Sequence, residues 1–322
     1  MEGMEDIAKL HRQYLEYLEI ERGRSMRTVV NYDRYLARFF AFAHVSAPEE
    51  VTEDVVRRFR LHLNRGGAVK RKTQNYYLIA LRGFLSFLAR RGIISLPAER
   101  IELASVGERE LDLLSAPELE RLLASPRQSF AHGREALSGN DMKSLRDSAM
   151  LELLFSTGLR VAELCALNRD TMDFTQDNFS VRGKGEKVRI VFLSPSAKAA
   201  LHVYLERRVD IEEALFVPVA RNGAVTQSGG ARELRLTPRS VERIVAFHAR
   251  KSGIAKKVTP HVIRHAFATD LLANGADIRS VQALLGHANI ATTQIYTHVT
   301  NRQLGEVHKA FHARQRKQAD RD

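Results

Sequence analysis

The stretch TPHVIRHAFATDLL, residues 259–272, places two histidines and an arginine within five positions. Thr259 followed by Pro260 predicts the start of an α-helix, with Thr as the N-cap and Pro at the first helical position. His261 and Arg264 are three residues apart, so they are expected to share one face of that helix. A helix start also presents unpaired backbone N–H groups and the positive end of the helix dipole. The stretch therefore predicts a helix whose first turns suit an anion.

The spacing of His261 and His265 also raises the alternative of a zinc site, because two histidines four residues apart bind zinc on one helix face. The metalloprotease pattern, however, has Glu directly after the first histidine, where this chain has Val262. Arg264 would in addition place a permanent positive charge beside the metal. We therefore predict no metal here, and we interpret His265 as structural.

The composition predicts a folded protein with a polyanionic partner. The 322 residues suffice for two domains, and 50 Lys and Arg against 38 Asp and Glu give a formal net charge of +12. Neutralising phosphates releases condensed counterions, so such an excess favours nucleic acid. Cys165 is the single cysteine, which excludes a disulfide framework. No apolar run reaches the length of a membrane span and no apolar signal segment is present, so we expect the cytoplasm.

The first hundred residues predict a helical domain. Four helices are expected: apolar residues recur at three- to four-residue spacing in the first, second and fourth, and glycines at 66–67 and 92 end the last two. Between Val55 and Ala98 there is no carboxylate, although ten basic residues occur. Because aromatic and apolar residues interleave with this charge, we interpret it as a nucleic-acid surface rather than an ordinary solvated face. The candidate DNA-binding residues are Arg57, Arg58, Lys70, Arg71, Lys72 and Arg82.

A second domain is expected after residue 114, where SAPE at 115–118 has the pattern of a helix capping box. NFSVRGKGEKVRIVFL, residues 178–193, alternates apolar and polar residues on both sides of a Gly-rich turn and predicts a β-hairpin. Polar stretches at 125–140 and 220–234 predict loops. We predict a mainly α protein with a small antiparallel β-sheet, comprising a helical domain (1–105), a linker (106–114) and an α+β domain (115–322).

Four further residues carry reactive side chains. Arg160 follows Gly158 at a predicted helix start, Lys184 lies at the predicted hairpin tip, and His287 and Tyr296 follow further on. Taken singly, each has an ordinary explanation: a surface arginine, a solvated turn lysine, a loop imidazole and a core aromatic. Their combination and order carry the information.

The order Arg, hairpin Lys, His-x-x-Arg, Gly-His and Tyr resembles the signature of the tyrosine recombinases. GLRVAEL, GKGEKVR, TPHVIRHAFAT and LLGHANIATTQIYTHV are most similar to the Xer branch, although phage and transposon integrases share these stretches. The resemblance implies a SAM-like core-binding domain followed by a catalytic domain. It also implies a site-specific recombinase that cuts and rejoins DNA through a 3′-phosphotyrosyl intermediate, without cofactor, metal or ATP.

Within this resemblance, Tyr296 is the expected nucleophile. An unperturbed phenol has a pKa of about 10 and is a poor nucleophile near pH 7, so Tyr296 needs a proton acceptor and an electrophilic phosphorus. Arg160 and Arg264 are expected to bind the non-bridging oxygens as planar, permanently charged forks. His261 is expected to accept or relay the phenol proton.

Three further roles follow from the same resemblance. Lys184 corresponds to the general acid that protonates the leaving 5′-oxygen, and His287 to a hydrogen-bond donor for a non-bridging oxygen. Glu163 lies three residues after Arg160 on the same helix face, so it is expected to orient the cluster.

The expected partners are double-stranded DNA with a dif-like inverted repeat, a homo- or hetero-tetramer on two such sites, and a septal DNA translocase as activator. The expected role is resolution of chromosome or plasmid dimers.

Leu304, Val307 and Phe311 predict a C-terminal amphipathic helix that packs on its own domain or docks on a neighbour. The alternatives are an integrase or transposase of a mobile element, a type IB topoisomerase, a non-enzymatic DNA-binding protein and a metal hydrolase.

Overall fold

The computed structural model describes residues 6–66, 69–105, 113–127, 139–183, 188–220 and 234–286. The chain divides into two compact units, Met1–Glu110 and Leu111–Asp322. The predicted linker at 106–114 stays a prediction, because most of it lies outside the described residues.

The first unit is a helical bundle. Its helices are α1 (Ile7–Glu19), α2 (Met26–Ala43), α3 (Glu53–Arg65) and α4 (Arg71–Arg90). Helix α2 packs against the other three, and Leu36, Phe39, Phe59 and Phe84 in this core are each 1% exposed or less. The four helices that the sequence predicted are therefore present.

The second unit contains all of the predicted catalytic residues, which lie between positions 160 and 296. Its elements are α5 (Ala116–Ala124), α6 (Gly139–Thr157), α7 (Val161–Ala166), β1 (Asn178–Arg182), β2 (Val188–Phe192), α8 (Pro195–Glu206), α9 (Pro238–Lys251), α10 (Pro260–Ala273) and α11 (Ile278–Leu285). Helix α6 lies at the centre, in contact with α5, α8, α10 and β2. Met150, Leu151 and Leu154 of α6 have no exposed surface, as expected for a helix that is apolar on several sides.

The predicted hairpin is present. Strands β1 and β2 pair antiparallel, with Asn178 opposite Phe192 and Arg182 opposite Val188. The fold class is confirmed: the described residues are mainly helical, with one two-stranded antiparallel sheet. The predicted loop at 220–234 lies largely outside the described residues, as does most of that at 125–140, and α6 begins inside the latter at Gly139.

The predicted capping box opens α5. The Ser115 backbone N–H donates to Glu118 Oε2 at 2.8 Å, and the Glu118 N–H donates to Ser115 Oγ at 3.4 Å. The Ser115 N–H, Lys256 Nζ (2.9 Å) and the Ser115 hydroxyl (3.0 Å) all donate to Glu118 Oε2, and these bonds lower the pKa of the Glu118 carboxyl to about 2. In the described part of the chain, no helix is long and apolar enough to cross a membrane.

Candidate active site

Helix α10 begins where the sequence predicted. Thr259 is its N-cap and accepts from the Val262 N–H at 3.4 Å, and Pro260 occupies the first turn. Arg264 is 2% exposed. Its Nη1 donates to the Gly158 carbonyl and its Nη2 to the Leu285 carbonyl, each at 2.5 Å. The helix thus holds a guanidinium between two backbone carbonyls that are distant in sequence.

The first of these carbonyls belongs to a position that requires glycine. Gly158 has a φ of +58°, in the left-handed region that residues with a Cβ rarely adopt. An added Cβ would lie 2.5 Å from Cδ1 of Phe267. Glycine therefore lets the chain turn between α6 and α7 while α10 packs closely against that turn.

Arg160 is the N-cap of α7, and the Glu163 carboxylate, three residues later, accepts two hydrogen bonds from it. Glu163 Oε2 accepts from the Arg160 backbone N–H at 2.9 Å, and Oε1 accepts from Arg160 Nη1 at 2.7 Å. The Arg160 side chain is 34% exposed, whereas that of Glu163 is 5% exposed. The carboxylate is therefore fixed inside the protein, and the guanidinium that it holds reaches the surface.

Both arginines meet at the C-terminal end of α11. Arg160 Nη2 donates to the Gly286 carbonyl at 3.0 Å, one residue after the Leu285 carbonyl that receives Arg264. The C-terminus of a helix carries unsatisfied carbonyls and the negative end of the dipole, so it suits two cations. The end of α11 thus brings together two guanidiniums that lie 104 positions apart in the sequence (264 − 160).

A third arginine, which the sequence analysis missed, joins this cluster. Arg189 of β2 donates from Nη2 to Glu163 Oε2 at 2.9 Å, and its side chain is 10% exposed. Burial lowers the pKa of this guanidinium, and the Glu163 carboxylate partly opposes this shift by raising the pKa. Strand alternation was the available signal, because Arg189 is two residues from the buried Val191 and so faces inward. We name Arg160, Glu163 and Arg189 the open cluster.

The two histidines of α10 have different environments. His261 is exposed and His265 is buried, and their rings meet edge to face with centroids 4.7 Å apart. His261 is therefore accessible on the helix that carries Arg264. Within the described ranges, no group of three or more His, Cys, Asp or Glu side chains is arranged to hold a metal ion.

Three predicted site residues, Lys184, His287 and Tyr296, lie outside the described residues. The structure thus brings together Arg160, Glu163 and Arg264, and it places His261 on the same helix as Arg264.

The candidate DNA-binding residues of the first unit are at the surface. Arg57 and Arg58 contact Asp54 at 2.7 and 3.0 Å, with side chains 68% and 60% exposed. Arg82 is half-buried on α4, and an exposed basic triplet, Lys70 to Lys72, opens that helix without any acidic residue in its first turn. Cations at the positive end of a helix dipole are unfavourable unless an anion lies beside them.

A second cluster in the second unit contains the residue types of a hydrolytic triad. His248 lies 3.0 Å from Ser125 Oγ through Nδ1 and 3.1 Å from Asp147 Oδ2 through Nε2. Arg146 donates from Nε and Nη2 to Asp147 Oδ1 at 2.9 and 2.6 Å. All four residues are at most 4% exposed, so no substrate reaches the serine. We name Ser125, Arg146, Asp147 and His248 the closed cluster, which fastens α5, α6 and α9 together.

Comparison with known proteins gives consistent matches. Residues 114–303 match the phage integrase family, and residues 12–92 match the phage integrase N-terminal SAM-like domain. The chain is 37% identical over 310 residues to tyrosine recombinase XerD of Listeria monocytogenes serotype 4b (strain F2365), covering 95% of this chain and 99% of that protein. It is 33% identical over 322 residues to tyrosine recombinase XerC of Bacillus subtilis (strain 168), covering 97% and 98%.

A similar fold occurs in a solved complex. The Tn1549 transposon integrase, solved with transposon right end DNA, gives a TM-score of 0.68 at 18% identity and covers 92% of this chain and 99% of that one. At this identity the likeness concerns the fold, in which a SAM-like domain precedes a catalytic domain.

Proposed function

Because the chain belongs to the phage integrase family, the tyrosine recombinases, and is an enzyme that cleaves and rejoins DNA, we propose that it is a site-specific recombinase of the Xer type. One observation carries the assignment of the site: Arg160 and Arg264 meet on the consecutive carbonyls of Gly286 and Leu285. His287 is the next residue in the sequence. Similarity to XerD and XerC over nearly their whole lengths supports the Xer type.

In the proposed reaction, Tyr296 Oη attacks the phosphorus of a DNA phosphate. A 3′-phosphotyrosyl bond forms as the bond from phosphorus to the 5′-oxygen breaks, and Lys184 donates a proton to that oxygen. His261 accepts the phenol proton, a role that suits an exposed imidazole. Rejoining reverses these steps with a 5′-hydroxyl as the nucleophile, so the bond energy is conserved and no ATP is consumed.

Arg160 and Arg264 supply the positive charge in this proposal, and His287 donates a further hydrogen bond. Each guanidinium has five N–H groups, and the described carbonyl and carboxylate bonds fix its orientation before DNA arrives. Such fixed donors stabilise the negative charge that develops on the non-bridging oxygens, and removal of one typically costs about 3 kcal/mol of barrier. In this scheme two arginines supply the charge that a metal ion supplies in other phosphoryl-transfer enzymes.

The first unit is proposed to contact the DNA backbone through α3 and α4. The basic triplet at the start of α4 combines side-chain charge with free helix N–H groups, a combination that binds phosphate. The proposed contact residues are Arg57, Arg58, Lys70, Arg71, Lys72 and Arg82. The Tn1549 transposon integrase, which has a similar fold, was solved in complex with transposon right end DNA, and this supports a DNA partner.

The finer role that we propose is resolution of chromosome or plasmid dimers in the cytoplasm, by a homo- or hetero-tetramer on two dif-like sites. A septal DNA translocase is the proposed activator. A plasmid with two directly repeated sites tests this role: excision of the intervening DNA supports recombination, whereas relaxation without excision would indicate a type IB topoisomerase. Insertion of a mobile DNA end instead would indicate an integrase or transposase.

The chemistry is tested with a trapped intermediate. A recognition duplex is first selected from random sequences by binding, and a nick is then placed so that the leaving strand diffuses away after cleavage. In EDTA, we expect a covalent protein–DNA adduct that maps to Tyr296 by mass spectrometry, and none with Tyr296→Phe at unchanged DNA affinity. An adduct with Tyr296→Phe would show that the nucleophile is misassigned, and no adduct with either protein would refute the proposed chemistry.

A further inference from the structure

We propose that Arg189 is a positioning residue for the reaction: it holds Glu163 and offsets its charge, so that Arg160 offers an oriented positive charge to the phosphate. The inference rests on the proposed function, because it takes Arg160 as a phosphate-binding residue. Arg189 is not one of the residues on which the resemblance to tyrosine recombinases rests, so the inference adds a residue to the proposed site.

The contacts define a chain of two steps. Arg189 Nη2 binds Glu163 Oε2, and Glu163 Oε1 binds Arg160 Nη1. With the Arg160 backbone N–H also on Oε2, both carboxylate oxygens are occupied and the carboxylate plane is fixed. Arg160 is the exposed member of the open cluster, so the two buried members act on substrate only through it.

The charges of the open cluster favour this role. Arg160 and Glu163 alone form a neutral pair, and a buried carboxylate beside the phosphate would repel it. Arg189 adds a second guanidinium to the same carboxylate, so the three groups together carry one net positive charge. Because the cluster is partly buried, this charge is less screened than one in bulk solvent. Arg189 thereby restores to Arg160 the charge that Glu163 would cancel.

Arg189 also has hydrogen-bond donors that are not paired within the described residues. Its Nε and Nη1 are buried and have no hydrogen-bond partner among the described residues. Burying unpaired donors of a cation opposes folding. A role in stability alone does not explain two unpaired donors, whereas a role that depends on the charge of Arg189 does not need them to be paired. Close packing also holds it in place, because a Cβ at Gly286 would lie 2.9 Å from Arg189 Cδ.

The test uses three substitutions that separate charge from hydrogen bonding. Arg189→Lys keeps the charge and a donor, Arg189→Gln keeps a donor only, and Arg189→Met keeps neither. We expect adduct formation to fall about tenfold to a hundredfold in Arg189→Met, the loss typical when a residue that orients a functional side chain is removed. Arg189→Lys should retain most of the rate and Arg189→Gln should be intermediate, with DNA affinity and the unfolding midpoint unchanged.

Two further readouts separate this role from a merely structural one. Replacing one non-bridging oxygen of the scissile phosphate by a methyl group removes its charge, so the Arg189→Met defect should shrink on that DNA. In a Glu163→Gln background, Arg189→Met should add little. The matched control is Lys198→Met, which removes the cation from a separate pair with Asp177 (2.8 Å) in the same unit and should leave the rate unchanged.

The outcomes separate the two proposals. Normal cleavage by Arg189→Met, equal defects on charged and uncharged phosphates, or a lysine variant no faster than the methionine variant would each overturn the role of Arg189. Normal cleavage by Arg160→Ala would overturn the proposed phosphate site, and the inference with it. A defective Arg160→Ala beside a normal Arg189→Met would leave the proposed function standing and refute the inference alone.

Discussion

The open cluster and the closed cluster both join arginine to a carboxylate within the second unit, and they differ in exposure and hydrogen bonding. In the closed cluster, Arg146 and Asp147 are 4% and 3% exposed in their side chains. None of its buried side-chain N or O atoms lacks a partner. In the open cluster, Arg160 is 34% exposed and Arg189 has two unpaired donors.

The difference shows that residue types alone do not identify an active site. Ser125, His248 and Asp147 have the composition of a hydrolytic triad, and two of their contacts are within about 3 Å. Every member of the closed cluster is buried, so the cluster stabilises the packing of three helices. Arg264 is also buried, but it shares the end of α11 with the exposed Arg160. Arg160 and Glu163 form an ordinary ion pair, but one partner reaches the surface with its orientation already fixed. Accessibility and unsatisfied hydrogen-bonding capacity distinguish the two.

The largest expected effect concerns the closed cluster. Asp147→Ala leaves Arg146 as an uncompensated buried charge, so the free energy of unfolding should fall by about 3–5 kcal/mol. Adduct formation per folded molecule should be unchanged. Denaturant unfolding and the nicked-DNA assay measure the two quantities. The surface control Asp177→Ala should cost about 0–1 kcal/mol, and equal losses in the two variants would erase the contrast.

The open cluster should show the opposite pattern. Arg160→Ala should lower the rate of adduct formation about a hundredfold or more, because one donor to the developing charge is lost. The free energy of unfolding should change little, since the side chain is partly exposed. The matched control is Arg127→Ala, which removes a 55% exposed arginine paired with the buried Glu152 and should leave the adduct rate unchanged. A stability loss as large as that of Asp147→Ala would make Arg160 structural.

A smaller effect tests whether the serine of the closed cluster takes part in catalysis. Ser125→Ala removes one buried hydrogen bond to His248, so it should cost about 1–3 kcal/mol of stability. No change in DNA cleavage, and no hydrolytic activity to lose, is expected. Unfolding curves and the adduct assay check this, and a Ser125→Ala variant that is stable but cannot cleave would place the closed cluster in the reaction.

The smallest effect extends the comparison to a partly exposed carboxylate, that of Glu118. Hydrogen bonds from Ser115 and Lys256 lower the Glu118 pKa from an ordinary 4.5 to about 2. Its contribution to stability is therefore complete above about pH 4.5 and is lost as the pH falls towards 2. Glu118→Gln should flatten this part of the stability–pH profile. An unchanged profile would show that these hydrogen bonds to Glu118 do not form in solution.

Most of the fold was predictable because helical periodicity and caps are local. Ser115 and Thr259 each begin a helix in the structure as the sequence indicated. The pairing of Arg160 with Glu163 was likewise expected from their three-residue spacing on one helix. Local sequence patterns therefore account for the helix starts and for the pairing of Arg160 with Glu163.

The rest of the site depends on contacts between distant segments. No local pattern showed that the end of α11 would receive both Arg160 and Arg264, because backbone carbonyls have no sequence signature. Arg189 was missed for a related reason: its inward position follows from strand alternation, but its partner Glu163 lies 26 residues away in the sequence. Chain topology decides such contacts.

The most direct test of the account is a structure of the Tyr296→Phe variant bound to its selected DNA site. We predict that Arg160 and Arg264 both contact the non-bridging oxygens of one phosphate, at about 2.7–2.9 Å, with the closed cluster unchanged. A complex in which that phosphate contacts neither arginine, or in which the closed cluster opens to receive it, would contradict the account.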